Sequence, residues 1–140
     1  MKILLAADGS KYTKKALAFL VTHEALLSDG GELHVLHVQP SLPPRVRTVA
    51  GREMVASYHL EEAEKVLAPI RKFLQRHPLV FQADWAVGGI SDEIIKAAKH
   101  DKAHLIVMGT HGHNVLGRMM LGSVAQRVVS SCDIPVLLVK

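Results

Sequence analysis

The chain has one cysteine, Cys132, so no internal disulfide can form, and a reducing compartment is the expected setting. Aromatic residues make up only 4% of its 140 positions, which leaves few platforms on which single-stranded nucleic acid would stack. Lysines and arginines number 17 against 13 acids, a net charge of +4, yet no block of basic residues concentrates that charge. Nucleic acid is therefore not an expected partner. No apolar run approaches the roughly 18 residues that span a bilayer. The short run Ile3–Ala7, closed by Asp8, does not read as a secretory leader. A cytoplasmic protein without membrane contact is the expectation. What is present is an ordinary globular balance, 49% hydrophobic and 21% charged, without repeat or linker, which fits one domain over residues 1–140.

Two hydrophobic periods alternate along the chain. Ile3–Ala7, Leu33–Val38, Leu105–Met108 and Val136–Val139 are continuous apolar runs, the pattern of strands buried on both faces of a parallel sheet. Val80–Val87 alternates and reads as a strand at a sheet edge. Between them lie helical patterns from about Lys11 to Leu27 and from Arg52 to Arg76. Pro69 is expected to kink or break the second. Gln39–Thr48, with Pro40, Pro43 and Pro44, reads as loop. Ser91 is expected to cap a helix that carries Asp92 and Glu93 in its first turn. Another helix follows Gly122. The expected fold is α/β: a doubly wound, five-stranded parallel sheet with helices on both faces.

Ligands of doubly wound sheets bind beyond the carboxyl ends of the strands. Two such ends stand out, Ala6-Ala7-Asp8-Gly9-Ser10 and Met108-Gly109-Thr110-His111-Gly112. The connection Thr110–Leu121 is long for one that usually takes about 2–6 residues. Gly109, Gly112 and Gly122 allow close approach to main-chain N–H groups, and Gly122-Ser123-Val124 opens a helix whose amino end suits a phosphate. The alternative for the glycines is a merely flexible loop. For Ser123 it is a capping box with Gln126, so cap and phosphate ligand both stay open. Gly117–Ser123 has P-loop glycine spacing without the lysine, and no GxGxxG follows a strand, which disfavours a nicotinamide site.

These segments resemble the universal stress protein family over essentially the whole chain. The resemblance rests on Ile3–Ser10, Leu36-His37-Val38, Leu105–Gly112, Leu121–Ala125 and Ile134–Val139. The spacing Gly109-x-x-Gly112, nine residues, then Gly122-Ser123 resembles the signature of the ATP-binding branch. That resemblance implies ATP as ligand, accompanied by Mg2+ or Mn2+. Ala6, Ala7 and Asp8 would border adenine and ribose, Val38 would pack on adenine, and Met108 and Gly109 would line the ribose. Gly112, Gly122, Ser123 and Val124 would hold the phosphates, with Thr110 and His111 beside them. The resemblance further implies a homodimer formed through the C-terminal strand Val136–Lys140. Ala7 stands where a valine is common, and Pro69 is unusual.

Arg118 is a candidate for a γ-phosphate. His111-x-His113 lacks a third ligand, and His34 and His37 point to opposite faces of their strand, so no dedicated metal site is expected. Cys132 has no base beside it and Trp85 reads as packing. No catalytic residue is identified, and at most very slow hydrolysis or autophosphorylation of ATP is expected. The function implied is an ATP-binding switch or regulator in stress survival, in which nucleotide orders the Thr110–Leu121 loop for an unknown protein partner. The alternative is a non-catalytic interaction protein whose site is vestigial or takes another adenine nucleotide such as AMP. A flavin carrier on the same topology is disfavoured by the scarcity of aromatics.

Overall fold

The computed structural model describes residues 1–113 and 120–140. In chain order the elements are β1 (Lys2–Ala6), α1 (Lys11–Thr22), a short 3-10 turn (Glu24–Leu26), β2 (Glu32–Gln39), α2 (Pro44–Ala50) and α3 (Arg52–Leu74). There follow β3 (Val80–Val87), α4 (Ile90–His100), β4 (Leu105–Gly109), α5 (Ser123–Ser131) and β5 (Val136–Val139). The five strands form one parallel sheet in the order β3-β2-β1-β4-β5. The winding reverses between β1 and β4, so the carboxyl ends of those two strands define the crevice. The doubly wound α/β expectation holds, and β3 lies at an edge as its alternation implied.

Successive side chains leave a strand on opposite faces, which splits each apolar run between two cores. Ile3, Leu5, Leu33, Val35 and Val107 pack against Ala16, Leu17 and Leu20 of α1 and Leu67, Ile70 and Leu74 of α3. Leu4, Leu36, Val38, Ile106 and Met108 pack against Ile94 and Ala98 of α4 and Ala125 and Val128 of α5. Each fully buried Leu or Ile stabilises the fold by about 1.5–3 kcal/mol, which is why uninterrupted apolar strands demand helices on both sides. No helix among the described residues is long and apolar enough to cross a membrane.

Several local expectations are corrected. The first helix stops at Thr22 rather than near Leu27. The Thr22 hydroxyl donates to the Ala18 carbonyl at 2.8 Å, and His23 bonds the Phe19 carbonyl at 2.8 Å, so side chains take over the last carbonyls. The proline-rich stretch contains α2, because Pro44 stands at the first helical position, where a missing N–H does no harm. Pro69 does not end α3, which continues to Leu74. It lies on the exposed face, where water can satisfy the carbonyl it leaves free, while Leu67, Ile70 and Leu74 are buried. Ser91 does not cap α4. Gly89 occupies the cap and its carbonyl accepts from the Glu93 N–H at 2.9 Å, while Ser91 is buried inside the first turn beside Asp92 and Glu93.

Candidate functional site

The end of β1 is tied to β2 on both sides of Ala7. The Ala7 N–H donates to the Leu36 carbonyl at 2.9 Å, and the buried His37 donates from Nδ1 to the Ala7 carbonyl at 2.8 Å. The chain then turns sharply. Gly9, at φ +78°, adopts a conformation that side chains rarely tolerate. Asp8 organises the turn: its Oδ1 accepts from the Ser10 N–H and the Thr13 hydroxyl, both at 2.9 Å. Ser10 caps α1 by accepting from the Tyr12 N–H at 3.3 Å. Asp8 therefore has a structural duty that the sequence did not disclose. Its second oxygen, Oδ2, makes no hydrogen bond among the described residues and faces Gly112, where a Cβ would fall only 2.8 Å from it.

The end of β4 explains its glycines in two different ways. A Cβ on Gly109 would lie 2.4 Å from Tyr12 Cβ, so this glycine lets α1 close against the strand. Gly122 packs on the opposite limb of the loop, where a Cβ would meet the Thr110 carbonyl oxygen at 2.9 Å and His111 Cα at 3.2 Å. The Gly122 N–H donates to that carbonyl at 2.7 Å, and the Thr110 N–H donates to Val139 of β5 at 2.9 Å. His111 donates from Nε2 to the Met120 carbonyl, and its Nδ1 is hydrogen-bonded with the Thr110 hydroxyl at 2.9 Å. His113 donates from Nε2 to the Asp8 carbonyl at 2.7 Å. The histidines considered as a metal pair thus serve the loop's own hydrogen bonding.

The capping box expected at Ser123 does not form. Gly122 is the cap residue, and its carbonyl accepts from the Gln126 N–H at 2.9 Å. Ser123 is already the first helical residue, so its hydroxyl cannot reach the donors a cap would serve. It is exposed and without a hydrogen-bond partner among the described residues. The amino end of α5 thus combines orphan main-chain N–H groups with one uncommitted hydroxyl, an arrangement suited to a phosphate.

The structure brings Asp8, Gly112 and His113 together, and Thr110, His111 and Gly122 together, with Ser123 and Val124 next in the chain. Val38 and Met108 are buried in the core under α4 and α5, and Ala6 packs against the same cluster. Ala7 is buried on the opposite face. Arg118, with Gly117 and Met119, lies outside the described residues. Sequence reasoning missed Tyr12 and Thr13, whose roles depend on contacts with Gly109 and Asp8. Thr13, five residues after Asp8, was detectable as a hydroxyl one turn past an acidic strand end.

A cleft of about 450 Å3 opens at the other end of the sheet, lined among others by Lys2, His34, Gln82, Asp101 and Lys102. There His34 donates from Nδ1 to Asp101 Oδ2 at 2.5 Å, and its Nε2 stands 3.2 Å from Asp84 Oδ2 without hydrogen-bond geometry. Burial pushes the Asp101 carboxyl up, but hydrogen bonds from His34 and His100 outweigh it and hold the group below its usual range. His34 and His37 do point to opposite faces, as expected.

Comparison with known proteins adds the following. The sequence profile of the universal stress protein family matches residues 1–140. A protein of Thermus aquaticus described as a universal stress protein in the QAH/OAS sulfhydrylase 3' region is 36% identical over 141 aligned positions, covering 99% of this chain and 97% of its own length. The solved structure of protein MJ0577 of Methanocaldococcus jannaschii superposes with a TM-score of 0.85 at 28% identity, covering 99% of this chain and 94% of that one. A universal stress protein of Archaeoglobus fulgidus, solved in complex with dAMP, has a TM-score of 0.72 at 22% identity, covering 100% of this chain and 98% of that one.

Proposed function

Because the chain belongs to the universal stress protein family, we propose that it binds an adenine nucleotide with its phosphates at Gly112, Gly122, Ser123 and Val124. One observation carries this reading: the Ser123 hydroxyl, exposed and unpartnered among the described residues, at the amino end of α5. The uncommitted Asp8 Oδ2 on the sugar side supports the fit, and Gly112 lets the loop backbone come up to it, since a Cβ there would fall 2.8 Å from that oxygen. ATP is the proposed ligand, with Mg2+ or Mn2+ accompanying the triphosphate as the family resemblance implies. The bound dAMP of the Archaeoglobus relative favours a second reading, in which a monophosphate is the natural ligand.

The protein is proposed to act as a nucleotide-dependent regulator in the cytoplasm, read by a protein partner in its loaded state. A homodimer would form through β5, whose four residues are all only half-buried at the sheet edge. Calorimetric titration with AMP and with Mg-ATP tests the site. The wild type is expected to bind, and Ser123→Ala to weaken the triphosphate by about tenfold, the loss of one hydrogen bond to a charged group. Absence of heat with either nucleotide, from a folded protein, overturns the proposal. Gly122→Val is a poor control, because its side chain would strike Thr110 and His111 before it met any ligand.

A further inference from the structure

Lys11, Lys14 and Lys15 stand at the beginning of α1, whose first turn holds no acid. Cations are unfavourable there, because the helix dipole is positive at its amino end. Lys11 and Lys15 are four residues apart, so two like charges share one ridge of the helix, a second unfavourable term. None of the three forms an ion pair among the described residues. Residues 114–119 contain no acid to offer one.

The lysines are exposed, but two of them are drawn to one ring. Lys11 Nζ lies 5.2 Å and Lys15 Nζ 5.9 Å from the centroid of the Tyr12 ring. Tyr12 is the residue that packs on Gly109, and its ring centroid is 5.6 Å from that of His111. Cation–π attraction thus holds two ammonium groups over a ring that touches the glycine loop, and orients them without neutralising them. Locally unfavourable choices of this kind concentrate at functional sites.

We infer that Lys11 and Lys15 are the residues that select a polyphosphate over a monophosphate at this site. The inference rests on the adenine-nucleotide reading above. The amino end of α5 and the Ser123 hydroxyl suffice for one phosphate. Further phosphates extended toward α1 meet the two lysines, compact charges on flexible stems that suit phosphate oxygens. The bound anion also relieves the repulsion between them.

The test is calorimetric titration of the wild type, Lys11→Ala/Lys15→Ala, Lys11→Arg/Lys15→Arg and Lys14→Ala with AMP and Mg-ATP at two salt concentrations. The double alanine variant is expected to lose about tenfold in ATP affinity while AMP affinity stays within about twofold. The arginine variant keeps the preference, Lys14→Ala keeps it too, and the wild-type preference shrinks at higher salt. Thermal melting of the double alanine variant no lower than wild type would separate recognition from a structural role. Equal weakening of ATP and AMP, or an unchanged ATP preference in the double alanine variant, overturns the inference. So does a wild type that binds AMP and gains nothing from further phosphates, although the nucleotide reading then stands. A wild type that binds neither removes both.

Discussion

The two ends of the sheet use the same residue types and arrive at opposite chemistry. At the amino ends of the strands, His34, His100 and Asp101 line a sizeable cleft; His34 Nδ1 and His100 are committed to Asp101, while His34 Nε2 is buried without a hydrogen-bond partner among the described residues. At the carboxyl ends, His111, His113 and Asp8 are equally engaged, but engaged in holding backbone. That leaves Asp8 Oδ2, the Ser123 hydroxyl and the first α5 N–H groups uncommitted among the described residues. The size of a hollow therefore does not locate the chemistry. What locates it is where several donors and acceptors remain together after the fold has used the rest, as at the upper end, whereas the lower end leaves one buried ring nitrogen, His34 Nε2.

The sharpest way to break this comparison is to disturb the scaffold of the upper end. Gly109→Val forces a side chain into Tyr12, and buried overpacking of that kind costs about 1–3 kcal/mol or more. Chemical denaturation should show a clear loss of stability, accompanied by loss of nucleotide binding because the loop moves with it. An unchanged midpoint would mean that Tyr12 yields and that Gly109 is not the contact that seats α1.

At the lower end the expectation is reversed. His34→Ala removes a part-buried hydrogen bond to a charged carboxylate and should destabilise by about 1–2 kcal/mol, with nucleotide affinity unchanged. A fall in affinity would deny that the two ends are independent. The same cluster predicts an acid-side effect. Asp101 has its folded-state pKa below the ordinary carboxylate range, so the unfolded chain binds its proton more readily. Its contribution is fully present above the unfolded value and is lost as pH falls through the folded one. Asp101→Asn should therefore show a smaller loss of stability than wild type between about pH 5 and pH 2. Parallel curves for the two proteins would remove Asp101 from the acid transition.

Strand runs were legible because burial on both faces leaves no alternative reading for Ile3-Leu4-Leu5 or Ile106-Val107. Helix boundaries were less so, for a recurrent reason. Before both α4 and α5 a glycine takes the cap, and the serine that reads as the cap falls inside the helix. Glycine is acceptable at that position, so a nearby serine is not decisive. Pro44 begins a helix and Pro69 rides along one, because each places its missing N–H where no core bond is needed. The glycine spacing marked the site correctly as a place of close approach. It could not say that Gly109 and Gly122 are approached by Tyr12 and by Thr110 and His111 of the same chain. Spacing records that room is required and is silent on what occupies it.

The smallest expected effect on stability is the most informative about Ser123. If its hydroxyl capped α5, Ser123→Ala would cost about 1 kcal/mol, a loss of several degrees in melting temperature for a domain of this size. The cap is Gly122 and the hydroxyl is unpartnered among the described residues, so the expected change is within about 0.5 kcal/mol. The same variant should lose ATP affinity, so one substitution separates a group the fold uses from a group the fold leaves for a ligand. A substantial loss of stability with affinity intact would return Ser123 to the helix, and the upper end would then keep no side-chain hydroxyl for a ligand.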